Sequence, residues 1–178
     1  MAPQDRALVV IDLQNDYFPG GAFPLWNPEQ TLANTLVAME LAQGAGVPVI
    51  LVQHVSRGAG GPFFNPDTPG VEIHRQILDA AQDARIVVKR NADAFLETEL
   101  EETLAGFGVR QLLVCGMMTQ NCVTHTAISR SAEKYDITVL GDCCTTVSEM
   151  IHLIALNALA PRVRIATARE ALSPTRRG

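Results

Sequence analysis

The sequence predicts an α/β protein: a three-layer α/β/α sandwich built on a parallel sheet. Six short runs rich in Val, Ile and Leu recur along the chain without apolar/polar alternation, as strands buried on both faces require. The intervals between them carry helical spacing, and strands alternating with helices of this length form right-handed βαβ units. A third observation bears on chemistry. Ala7–Ile11 ends in Asp12, Ile86–Val88 ends in Lys89, and Leu112–Cys115 runs into Gly116-Met117-Met118-Thr119-Gln120-Asn121-Cys122. Open parallel sheets gather their working groups at the carboxyl ends of strands, so an acid, a base and a thiol far apart in sequence can share one crevice.

The first strand is Ala7–Asp12. Asn27 and Pro28 then offer an N-cap and a first-turn proline; Leu32, Leu36 and Met39 line one face of the helix that follows, and Gly44 stops it. After a second strand, Val47–Gln53, the segment Ser56–Pro69 has no clear periodicity, is rich in Gly and Pro, and holds Phe63 and Phe64. A loop of that length is often a lid or binding loop. Gly70–Ala81 carries Ile73, Ile77 and Leu78 at helical spacing and leads to a third strand, Arg85–Lys89. Thr98-Glu99-Leu100-Glu101 has the capping-box form ahead of Leu104, Phe107 and the terminating Gly108. Strands Arg110–Gly116, Ile137–Gly141 and Val163–Ala166, with helices over Cys122–Tyr135 and Ser148–Ala160, complete the set. No repeat, linker or low-complexity stretch interrupts it, and 178 residues that are 47% hydrophobic suit one domain with a substantial core, spanning residues 1–178.

Composition excludes several function classes. Fourteen basic and 19 acidic residues leave a net charge of −5, with no basic cluster beyond Arg176-Arg177, so nucleic acid is not an expected partner. The longest strongly apolar stretch, Ile151–Ala160, is about half the length that spans a bilayer and reads as a buried helix, so no membrane partner is expected either. Met1–Arg6 lacks the apolar core of a signal peptide, which predicts a cytoplasmic location. The four cysteines, at 115, 122, 143 and 144, form neither a CxxC pair nor a zinc pattern with histidines. Cys115 reads as a small core residue, and Cys143 and Cys144, at a strand end, as structural.

Cys122 follows a strand and turn and is expected to open a helix, whose terminal N–H groups favour an anion. Asp12 closes a run that should be fully buried, and uncompensated burial of charge is costly, so something must pair with it. Lys89 poses the same problem with opposite sign; Arg90 beside it is a candidate solvated partner. Together they make one proposal: Asp12 takes the thiol proton, Lys89 stabilises both anions, and the Cys122 sulfur attacks an electrophilic carbon.

Asp12 within VVIDLQNDY, Lys89 with Phe95 downstream, and Cys122 within GMMTQNCV resemble the Asp–Lys–Cys set of the isochorismatase-like cysteine hydrolases, and the resemblance runs from about Ala7 to Ala168. It implies a doubly wound parallel sheet of about six strands, a homo-oligomer, and a thioester formed on Cys122. It also implies a cis Met117–Met118 peptide and an oxyanion hole made by the backbone N–H groups of Met118 and Cys122. The family's nicotinamidases carry an Asp-x-His and a second His that bind a metal; here the strand ends Val52-Gln53-His54-Val55 with no matching Asp, so neither a metal nor another cofactor is expected.

The resemblance implies hydrolysis of a small amide or ureido-type C–N bond in a small-molecule substrate. Vinyl ether cleavage of the isochorismatase type is the second reading, although the family's true isochorismatases tend to lack the cysteine. A silent scaffold on the same fold is the third, disfavoured because a scaffold has no need to bury three polar groups. Pocket candidates are Phe18, Trp26 and Phe63 from the two aromatic loops, His54 at its strand end, and Gln14, Gln120, Asn121 and His125 as groups that could orient an amide.

Overall fold

Strands β1 (Arg6–Ile11), β2 (Val49–His54), β3 (Arg85–Lys89), β4 (Gln111–Met117), β5 (Asp136–Thr145) and β6 (Arg164–Ala166) pair in one wholly parallel sheet of order β3-β2-β1-β4-β5-β6. This is the computed structural model of the chain, and it describes residues 5–173, so the Arg176-Arg177 pair lies outside the described residues. The strand order reverses between β1 and β4, the place where doubly wound sheets open a crevice at their carboxyl edge. Among the described residues, six α-helices flank the sheet: α1 (Pro28–Gly44), α2 (Arg75–Ala80), α3 (Leu100–Gly106), α4 (Thr124–Ala127), α5 (Glu149–Leu159) and α6 (Ala168–Leu172). None is long and apolar enough to cross a membrane.

Two details set the geometry at the reversal. Gly116 pairs with Ile11 at φ 127°, and a Cβ there would overlap the Ile11 carbonyl, so only glycine lets β4 come this close to β1. The β4–β5 register then shifts, from Val114 opposite Val139 to Gly116 opposite Cys144. This bulge carries β5 past the expected end at Gly141, so Cys143 and Cys144 lie buried inside the strand.

Several predicted elements are shorter or differently bounded. Over Gly70–Ala81, Ile73 forms an antiparallel bridge to Gln14, which draws the chain extended and delays the helix to Arg75, with the His74 ring accepting the Gln76 N–H. Asn27 precedes Pro28 as expected but sits in the left-handed region at φ 50° and makes no side-chain cap. The capping box at Thr98 does not form: Thr98 Oγ1 accepts the Leu100 N–H, while Glu101 is ion-paired with Lys134. The helix expected over Cys122–Tyr135 is broken into a π-helical turn (Thr119–Val123), α4 and a 3₁₀ turn (Arg130–Lys134). Cys122 therefore lies within a turn that has already begun at Thr119 rather than opening a helix.

Burial on both faces holds for the central strands but not for β3, an edge strand with Ile86 and Val88 exposed. The stretch predicted as a buried helix is α5, and only His152, Ala155 and Leu159 are inside. Met150, Leu153 and Ile154 are 72%, 52% and 61% exposed, an outward apolar face rather than a core.

Candidate active site

The carboxyl edge of the sheet brings Asp12, Lys89 and Cys122 together in a volume closed to solvent. Asp12 leaves β1 at φ 54°, a left-handed conformation that Asp tolerates better than most residues. Lys89 ends β3, two strands from β1 at about 4.8 Å per strand, so only a side chain as long as lysine reaches across the end of β2. Its ammonium lies 2.8 Å from Asp12 Oδ2 and 3.2 Å from Cys122 Sγ. It also meets His54 Nδ1 at 2.9 Å and the Asn91 carbonyl at 3.1 Å. Arg90, beside it, points to the Ser56 carbonyl, and Lys89 is the charge partner of Asp12.

The Asp12–Lys89 contact is short but lacks the angles of a directed hydrogen bond, and Asp12 Oδ1 has no hydrogen-bond partner among the described residues. A carboxylate oxygen of Asp12 lies within 4.8 Å of Cys122 Sγ, where a buried acceptor without a hydrogen bond can take the thiol proton. Burial pushes the Cys122 thiol up to about 12, the Asp12 carboxylate adds to the rise, and Lys89 opposes it. The resting sulfur is thus a neutral thiol next to an ion pair, in place of the standing thiolate that an opened helix would favour. Burial alone would lower the Lys89 ammonium, but Asp12 and Cys122 outweigh it and hold the group above its ordinary value.

The turn that carries Cys122 is fixed from several sides. The Met117–Met118 peptide is cis. The Met118 carbonyl accepts the Asn121 and Val123 N–H groups, while the Met118 N–H reaches no acceptor among the described residues. Thr119 Oγ1 lies 2.9 Å from Nδ1 of His152 on α5, and Thr124 Oγ1 donates to the Thr119 carbonyl. The segment after Lys89 is tied to the same region, because Thr126 Oγ1 accepts the Ala94 N–H and Ser129 Oγ donates to Asp93.

Among the expected pocket residues, His54 makes a polar contact with the cluster. Gln14 is fully buried and committed to the backbone: Nε2 donates to the His54 and Val71 carbonyls and Oε1 accepts the His54 N–H, so it braces β2 against β1 instead of offering its amide to a ligand. Phe18 packs on His74, with ring centres 4.5 Å apart. Trp26 is partly exposed, its ring 6.0 Å from that of His152. Phe63 belongs to an aromatic group with Tyr17 and Phe23 at 5.4 and 4.9 Å. Gln120 approaches Met118 Sδ with Nε2 and leaves Oε1 buried without a partner, and Asn121 is bound into the turn through its backbone. His125 is exposed and makes no described contact with the cluster.

Tyr17 was missed as a site residue by sequence reasoning, because in VVIDLQNDY it reads as one more aromatic. It is 1% exposed. Burial, then the nearby Asp12 and Cys122, raise its phenol and keep it neutral. A cavity of about 810 Å³ lies at the opposite edge beside Gln111, Asp136 and Arg164, the first residues of β4, β5 and β6, and includes none of the cluster.

The fold that gathers this acid, ammonium and thiol recurs in known proteins. Residues 6–171 match the isochorismatase domain family. The chain belongs to the isochorismatase family. Among relatives of this isochorismatase-family chain, an uncharacterized isochorismatase family protein of Bacillus subtilis, YddQ, is 39% identical over 146 residues, covering 82% of this chain and 81% of its own. Nicotinamidase 3 of Arabidopsis thaliana is 30% identical over 165 residues, covering 86% and 80%. Among solved structures, an isochorismatase hydrolase from Oleispira antarctica superposes with a TM-score of 0.85 at 27% identity, covering 98% of this chain and all of its own.

Proposed function

We propose that this isochorismatase-family hydrolase cleaves a small amide or ureido-type C–N bond through a thioester on Cys122. Asp12 Oδ1 takes the thiol proton as Sγ bonds to the carbonyl carbon, and the developing oxyanion is met by the N–H groups of Met118 and Cys122. Collapse breaks the C–N bond, with the leaving nitrogen protonated from Asp12. Water then attacks the thioester, Asp12 takes its proton, and the thiol is regenerated with release of the acid. Lys89 balances the negative charge that moves between Asp12 and Cys122 throughout.

The observation that carries this reading is the buried contact of one ammonium with both carboxylate and sulfur, at 2.8 and 3.2 Å. Burying two charges and a thiol costs stability, and use in chemistry is a reason for a fold to carry that cost. The near-complete burial of Cys122 favours a small substrate. The similarity to a nicotinamidase supports amide chemistry over vinyl ether cleavage. A screen of small amides, ureido compounds and isochorismate for ammonia or pyruvate release tests it. Ammonia release that is lost in Cys122→Ala is the expected result, and pyruvate release that survives that substitution refutes the reading.

A further inference from the structure

We infer that His54 is a tautomer-locked donor of the active site, offering Nε2–H to a neutral acceptor beside the scissile carbonyl of the substrate. The inference rests on the amide-hydrolase reading above and deepens it by restricting the substrate class.

The argument starts from the protons on Lys89. An ammonium has three N–H groups and no lone pair, so every short contact it makes must be to an acceptor. Its four neighbours are Asp12 Oδ2, His54 Nδ1, the Asn91 carbonyl and Cys122 Sγ. His54 Nδ1, at 2.9 Å, must therefore be the unprotonated nitrogen of the ring. The single proton of a neutral imidazole then resides on Nε2. An imidazolium would set N–H against N–H at this distance. Burial together with Lys89 and Arg90 disfavours the charged ring and outweighs Asp12.

The ring is also held in place. Gln14 bonds both the N–H and the C=O of His54, and Phe64 lies 5.8 Å from the ring centre. Nε2 has no protein partner among the described residues, and a half-buried N–H without one is suited to a ligand acceptor. One ring nitrogen of His54 lies within 4.8 Å of ligand atoms of Asp12 and Cys122; with Nδ1 turned to Lys89, the ring borders the sulfur and its Nε2–H is the edge left for a substituent of the carbonyl that Cys122 attacks. The same three donors resemble a metal site, but the Lys89 ammonium sits among them, and a cation would have to displace it. Because the imidazole is neutral, the acceptor it suits is a ring nitrogen, carbonyl or ether oxygen rather than an unpaired carboxylate.

Imidazole nitrogen NMR on the full chain, from about pH 5.5 to 8.5, reads the tautomer directly. The Nε2–H pattern without titration is expected; an Nδ1–H pattern, or titration near the ordinary value of 6.5, overturns the inference. For the donor role, the probes are pyrazine-2-carbaldehyde, with a ring nitrogen beside the carbonyl, and benzaldehyde, without one. Each adds to Cys122 reversibly: the S–C bond forms and the thiol proton passes to the former carbonyl oxygen. In His54→Asn the amide oxygen can replace Nδ1 as acceptor toward Lys89, while the Nε2–H is lost. That variant should weaken the pyrazine aldehyde about tenfold relative to benzaldehyde, the scale of one lost hydrogen bond. Equal weakening of both overturns the inference. Benzaldehyde addition to wild-type Cys122 tests the parent reading, and the nitrogen shifts need no substrate, so the two can fail separately.

Discussion

Lys89 Nζ lies 3.2 Å from Cys122 Sγ although β3 and β4 are separated by two strands of the sheet. The lysine spans the ends of β2 and β1 and meets Asp12 on the way, so three strand ends depend on one side chain. That dependence has consequences for reactivity, stability and pH response.

Reactivity should split from turnover in Asp12→Asn. The carboxylate raises the Cys122 thiol, so neutralising it lowers the thiol toward its ordinary value and should speed alkylation by iodoacetamide near neutral pH. The same change removes the proposed proton acceptor, and amide turnover should fall by about 10²–10⁴-fold. Parallel loss of both rates would contradict this division of roles.

Lys89→Met should cost about 3–5 kcal/mol of unfolding free energy, because it strands a buried carboxylate, and chemical denaturation measures it. A double variant, Asp12→Asn with Lys89→Met, should recover much of that loss. An equal or larger loss in the double variant would show that the lysine acts through packing rather than charge.

Alkaline pH should destabilise the protein. Burial pushes Cys122 and Cys144 up to about 12 and raises Cys115 and Cys143 as well. Below the unfolded thiol value near 9, both states keep their protons and the balance does not change. Above it, the unfolded chain alone loses protons, so stability falls as pH rises toward the folded values; raised Lys89 has the same sign. Denaturant unfolding followed from about pH 7 to 11 should be level at first and decline above about pH 9. A level profile throughout would contradict the burial account.

The outward face of α5 should be covered by a second copy of the chain. Met150, Leu153 and Ile154 present an apolar surface, and family resemblance implies a homo-oligomer. Light scattering should give a mass above that of one chain, reduced to one chain in Leu153→Glu. A monomeric wild type would dismiss this use of the face.

Much of this was legible in the sequence, and the reason is electrostatic. A carboxylate at Asp12 and an ammonium at Lys89, each ending an apolar strand, can be buried only if they compensate each other, so their meeting follows from the strand pattern. The turn at Cys122 was less legible because the π and 3₁₀ turns around it are five residues each, too short to leave a periodicity distinct from that of an α-helix. Apolar composition on α5 signals burial without saying by what, and the edge position of β3 is invisible to a reading of single strands. Gln14 misled for a related reason: an amide beside a buried carboxylate suits a substrate, and nothing in the sequence reveals that the His54 and Val71 backbone groups already claim it.

The most direct test of the covalent account is intact-protein mass spectrometry on enzyme quenched during turnover of an amide found in the ammonia screen. The expected result is a mass increase equal to the acyl group, mapped to Cys122, cleared by hydroxylamine and absent in Cys122→Ser. Turnover with no acyl adduct on wild-type Cys122, at a rate retained by Cys122→Ser, would contradict it.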